Sequence, residues 1–239
     1  MFVALLLWLQ WGLSQGVVRS VSPTEGTDIE GCGTNNHFCK TIQFAIFAST
    51  AGDHIHLVEG THLCSQGPHG HGIEFVTGAS KNAPPNDWIT LQGAPGSSVE
   101  AVLLSCRNKS GAFYFPRKNP PKGVVLKDFT ITEGRDLSGG GVLHLGGNTS
   151  FKNMIFRGNA ATGTQTTTGG GAVFVVGGEP LFDHVTFERN SASRSGGGVM
   201  VKLGSPTFLN VQFADNIAEE IGGAIAVMGG ITTVSNAKF

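Results

Sequence analysis

The sequence predicts an all-β protein coiled as a single-stranded parallel β-helix, closed at its N-terminal end by a short capping helix. Three observations predict it. Glycine-rich openings recur in register, each of the first three repeats closes on Phe-x-x-Asn, and the apolar period inside a repeat is two, never that of a helix.

Openings stand at Gly139, Gly170, Gly196 and Gly222, each reading Gly-Gly-small-β-branched. Phe156, Phe187, Phe213 and Phe239 keep the same spacing, and the first three carry Asn159, Asn190 and Asn216 three positions on. These residues form the predicted structural ladder. An earlier, degenerate rung runs from Val124 to Gly134, with Ile131 in the Phe column. Val173 and Val175, Val199 and Val201, and Ile225 and Val227 alternate with Phe174, Met200/Lys202 and Ala226. The β-branched set must face the core, because Lys202 cannot.

A second stretch, Phe151–Phe156 and its equivalents Phe182–Phe187 and Phe208–Phe213, places inward residues on opposite parity. The chain must therefore turn a corner at Asp128, Asn153, His184, Asn210 and Asn236. Asp and Asn tolerate left-handed backbone and can bond along a stack. The extra residues of one repeat fall within Ala160–Thr168 and read as a loop. Absence of helical periodicity excludes leucine-rich and ankyrin arrays.

The rest of the chain is arranged around this array. Phe2–Leu13 followed by Ser14-Gln15-Gly16 reads as a secretory signal peptide over 1–16, although its basic n-region is missing. Residues 17–60 should hold the N-terminal cap and first strand. Ile42, Ala45 and Ile46 lie on one face of a short helix, and Asp53–Leu57 starts the strand; Trp88–Leu91 is another. Residues 61–239 are rungs, clearest from 139 to 239. The Phe ladder stops at Phe239 before its turn closes, so the C-terminal end is expected to be truncated, or to pair with more repeats or another chain.

The cysteines agree with secretion. Of three possible connectivities, Cys32–Cys39 with Cys64–Cys106 is favoured. Asn108 and Asn148 head glycosylation sequons. A net charge of −1 with no Lys/Arg cluster gives no footprint for nucleic acid or an acidic membrane, and no lipid-embedded segment is expected after signal removal.

These repeats resemble those of the chlamydial polymorphic outer membrane proteins, marked by Gly-Gly-Ala-Ile/Leu/Val and Phe-x-x-Asn. The opening Gly31-Cys32-Gly33, Cys39-Lys40-Thr41-Ile42-Gln43, Gly52-Asp53-x-Ile55-x-Leu57 and Gly60-Thr61 is similar to the entry of many pectin-lyase-like β-helix proteins. The resemblance implies a right-handed coil, a secreted or surface location and adhesin-like or structural roles. The C-terminal transporter barrel of the outer-membrane family is absent from this sequence.

The chemistry search finds no catalytic constellation. Gly70-His71-Gly72 is similar to the Gly-His-Gly of polygalacturonases, but their Asn-Thr-Asp, Asp-Asp and Arg-Ile-Lys are missing. Glu188 with Asp215 is the nearest carboxylate pair, and a charge ladder is the expected role, as for Lys152 beside Asp183. His54, His56, His69 and His71 lie close enough for a metal site, yet no carboxylate or cysteine is fixed nearby, so solvated positions are expected. His144 sits in a Val column. No cofactor is implied. The reading is a secreted or surface-exposed, non-enzymatic interaction module, adhesin-like or structural, that meets an extracellular glycan or protein surface. The alternative is a polysaccharide lyase or glycoside hydrolase on the same fold. Outward aromatics in adjacent rungs would favour glycan contact, and Phe174 beside Met200 is the candidate.

Overall fold

The computed structural model describes residues 16–34, 37–67, 70–75 and 88–239. The apolar run read as a leader lies outside them. Among the described residues the chain is a parallel β-solenoid with a single short helix. Ile55, Leu91, Leu126, Phe151, Phe182, Phe208 and Val234 lie abreast on one wall, each pairing in parallel with its counterpart one coil away. Adjacent strands in such a stack sit about 4.8 Å apart, so every inward residue rests on its equivalent.

Four corner columns turn the chain, and all use left-handed backbone. One is the expected Asp128, Asn153, His184, Asn210 and Asn236, with φ from 47° to 64°. Glu133, Gly158, Arg189 and Asp215 form a second. The glycines at 139, 170, 196 and 222 make a third, and those at 147, 178, 204 and 230 a fourth. At Gly196 the reason for glycine is doubled: φ is 66°, and a Cβ would lie 2.2 Å from the Val199 carbonyl oxygen.

The interior is two aromatic ladders and one amide ladder. Phe156, Phe187, Phe213 and Phe239 stack with ring centroids 5.2, 4.8 and 5.4 Å apart. Phe151, Phe182 and Phe208 stack beside them at 4.7 and 4.8 Å. Asn159 and Asn190 are fully buried, so their amides must be fully bonded. Asn190 Oδ1 accepts from the Asn159 N–H and Nδ2, and its own Nδ2 donates to Phe156 O and Asn216 Oδ1.

The N-terminal end departs from expectation. The first strand is Val18–Val21, which precedes the helix; Asp53–Leu57 belongs to the next coil. The outer edge of Val18–Val21 is covered by the loop that the Cys32–Cys39 bond closes: Ser20 N donates to Gly33 O, and Cys39 N to Ser20 O. The helix Ile42–Ala48, capped by Thr41, buries Ile42, Ala45 and Ile46. It lies beyond the first strand of another wall, Ile73–Glu74. There the Gln43 carboxamide donates to Glu74 O and accepts from Glu74 N, the two bonds that a further strand would make. Helix and loop together close this end.

Phe174 and Met200 also depart from expectation. Although they point away from the main core, they are 6% and 0% exposed, packed with Ala226 and partly with Leu143 and Val176 in a second small cluster. They offer no aromatic surface for a glycan.

Candidate functional site

The left-handed Asx corner is convex to the chain path but bounds a groove outside. Its floor and one flank are Asn153, His184, Thr186, Asn210, Gln212, Asn236 and Lys238, around a volume of about 390 Å³. Corner residues alternate with flank residues because one wall places Ile155, Thr186, Gln212 and Lys238 abreast. On the other side of the corner Lys127, Lys152 and Asp183 lie abreast in one column.

Hydrogen bonds along the stack hold the corner side chains. Asn153 Nδ2 donates to Asp128 Oδ1 at 2.8 Å, Asn210 Nδ2 to Asp183 Oδ1 at 3.1 Å, and Asn236 Nδ2 to Asn210 Oδ1 at 2.7 Å. His184 breaks the amide series; its Nδ1 lies 2.8 Å from Asp183 Oδ1. Lys152 is in register with Asp183, as expected, but the Asp183 carboxylate goes to His184 and Asn210 instead. Each amide thus keeps a second N–H for solvent or ligand. The side chains of Thr186, Gln212 and Lys238 have no partner among the described residues. Such a surface is a row of paired donors and acceptors, repeating about every 4.8 Å along the axis.

The other candidates resolve differently. Glu188 is engaged by the Arg157 Nε and by Arg189, and Arg157 also takes both oxygens of Glu100 at 3.2 Å. Burial alone would raise the Glu188 carboxyl, but the two guanidiniums hold it below the usual range. Asp215 is a corner residue. Glu188 thus stands in a charge cluster with Arg157, Arg189 and Glu100, and Asp215 is not part of it.

Among the described residues no three His, Cys, Asp or Glu side chains converge on a metal position; His69 lies outside them. His54 is exposed, and His56 Nε2 is 3.0 Å from Gln92 Nε2. His71 Nδ1 lies 3.2 Å from Asp136 Oδ2, and its ring stacks on Tyr114 at 4.8 Å. Asp136 was not singled out in the sequence, because the two are 65 residues apart and only the coil joins them. His144 is wholly buried beside Phe115, with Nδ1 3.0 Å from Gly177 O and Nε2 unpaired. Burial pushes it down to about 4.

Cys32 and Cys39 are bonded, as are Cys64 and Cys106. Both sequon asparagines, Asn108 and Asn148, are exposed. No helix among the described residues is long and apolar enough to cross a membrane.

No known family model and no curated protein matches the chain. Among solved structures it is similar to a rhamnogalacturonan lyase, with a TM-score of 0.47 and 13% identity, covering 94% of this chain and 62% of that one. It spans less than two thirds of that enzyme chain.

Proposed function

We propose that this chain is a secreted or surface-exposed interaction module, adhesin-like in role, which holds an extended extracellular glycan in the groove of the Asx corner. The carrying observation is the groove lined by Asn153, Asn210, Gln212 and Asn236, whose amides are held along the stack or stand free on coils stacked about 4.8 Å apart, with His184 between Asn153 and Asn210. Carboxamides pair with the vicinal hydroxyls of a sugar edge through one donor and one acceptor. The groove lacks an aromatic platform, so contact is made edge-on by hydrogen bonds, and modest affinity spread over several rungs is expected. Repeats resembling those of the chlamydial surface proteins, with two exposed sequons, support the extracellular location.

Binding is tested by presenting the 239-residue chain to an array of linear oligosaccharides and titrating the hits by calorimetry. Replacing Asn210 by Gly, which keeps the left-handed corner, and Gln212 by Ala should weaken binding at least tenfold while leaving the melting temperature within a few degrees, since both side chains are exposed. The bound glycan should be recovered uncleaved. Undiminished binding by the double variant, or turnover of the glycan by the wild type, overturns the reading.

A further inference from the structure

Trp88 is held in the left-handed backbone region, with φ of 60°. Among the described residues every other non-glycine residue in that region is Asn, Asp, Glu, Arg or His. A bulky side chain is strained there, and such strain persists where the surroundings over-determine it, most often at sites of function. Here the next coil does so. The Trp88 N–H donates to Lys122 O at 2.6 Å. The indole then lies on Gly123: a Cβ there would come 2.2 Å from Trp88 Cε3 and 2.5 Å from Cζ3, so the six-membered ring stands where a side chain would be. Covering a glycine explains that contact, but not a tryptophan left 65% exposed. The ring is seated from beneath and open to water above.

Its surroundings indicate the class of ligand. Thr90 and the exposed His54 are abreast on the neighbouring outward column, and the exposed Lys122 and Asn148 are abreast beside Gly123. A single aromatic ring among polar side chains does not suit a protein partner, which buries a contiguous apolar patch. It suits a small body that is apolar on one face and polar around its edge. A pyranose has this form. The C–H groups of its face meet the electron-rich face of the indole, and its hydroxyls meet the polar side chains. The position is distinct from the Asx groove. Trp88 precedes strand Thr90–Gly93, and the Asx corner lies beyond the far end of that wall, where Gln92 is abreast of Lys127 and Asp128 follows.

We infer that Trp88 is a stacking platform for one pyranose ring of an oligosaccharide, a binding site separate from the groove. It rests on the proposed function only for the class of ligand. The strained corner and the Gly123 seat hold the indole in place before the sugar arrives, so little ordering is left for binding to supply.

The full chain carries two other tryptophans, Trp8 and Trp11. With both changed to Phe, indole emission reports Trp88 alone. Titration with chitohexaose and with cellohexaose, chains of β-pyranoses that carry C–H groups on both faces, should shift this emission saturably for at least one of them. The shift should survive Asn210→Gly with Gln212→Ala, which disables the groove. In that groove-disabled protein, calorimetric binding should weaken at least tenfold on adding Trp88→Asn, which suits the left-handed corner, and stay within about threefold on adding Trp88→Tyr, which keeps a ring. Trp88→Asn alone should melt within a few degrees of the wild type, because the indole is mostly exposed. Emission that neither sugar changes overturns the platform and leaves the groove reading standing. Binding that Trp88→Asn leaves undiminished overturns it too, as does a shift lost with the groove variant. A Trp88→Asn protein that melts far below the wild type would make the ring a packing element, which also contradicts the inference. A Trp88 shift without any groove-dependent binding keeps the platform and sinks the groove.

Discussion

Buried polar side chains show most clearly what the stack demands of single residues. Asn190 sits at the centre of a chain of amides in which every donor and acceptor is met by a neighbour one coil away. Phe-x-x-Asn was legible in the sequence because this requirement recurs in each coil. His144 meets it only by half: one ring nitrogen is bonded, the other is buried and bare. Its folded pKa is depressed from 6.5 to about 4, so the unfolded chain binds the proton more readily. The neutral ring therefore leaves stability intact above pH 6.5, and stability falls as pH drops toward 4, by an amount on the order of 3 kcal/mol. His144→Val installs the residue of the equivalent positions 175 and 201. Urea midpoints between pH 7.5 and 4 should flatten in that variant relative to the wild type; equal slopes would contradict the assignment.

At the scale of elements, the closing of the N-terminal end rests on side chains imitating strands. The helix was legible from Ile42, Ala45 and Ile46, but its mode of closure was not, since Gln43 meets Glu74 31 residues away. The first strand, Val18–Val21, was missed for a related reason. Four residues directly after an apolar run carry little pattern of their own, and the loop that covers them returns only at Gly33 and Cys39. Gln43→Ala leaves a buried N–H and a buried C=O without partners, which should cost about 2–4 kcal/mol in denaturant unfolding. Gln43→Glu keeps one acceptor but sets a buried carboxylate oxygen against the Glu74 carbonyl, and should cost at least as much at neutral pH. A Gln43→Ala variant as stable as the wild type would mean that water or another group serves the same bonds.

The whole molecule explains which parts of the fold could be read. Coils from Gly139 onward are 31 or 26 residues long and carry the same residues at the same places, so their columns appear in the sequence directly. The coils before Leu126 are longer, 36 residues from His56 to Gln92, and hold different loops, so the columns dissolve although the stacking persists. The Asx corner was legible as a corner. That it bounds a groove was not, because concavity belongs to several coils at once. The outward aromatic pair failed as a surface for the opposite reason, since neighbouring coils bury it.

Everything above depends on columns in register, and one pair of deletions tests this directly. Removing Gly170–Ser195 takes out one coil of 26 residues and joins Gly169 to Gly196, so that Phe156 meets Phe213 and Asn159 meets Asn216. Removing Gly170–Arg194 is one residue shorter and shifts every later side chain off its column. Stability in a repeat array is close to a sum of neighbour terms. The first deletion should thus give a folded protein that melts cooperatively a few degrees below the wild type, and the second should not. Two deletions that melt alike, folded or unfolded, would contradict the account.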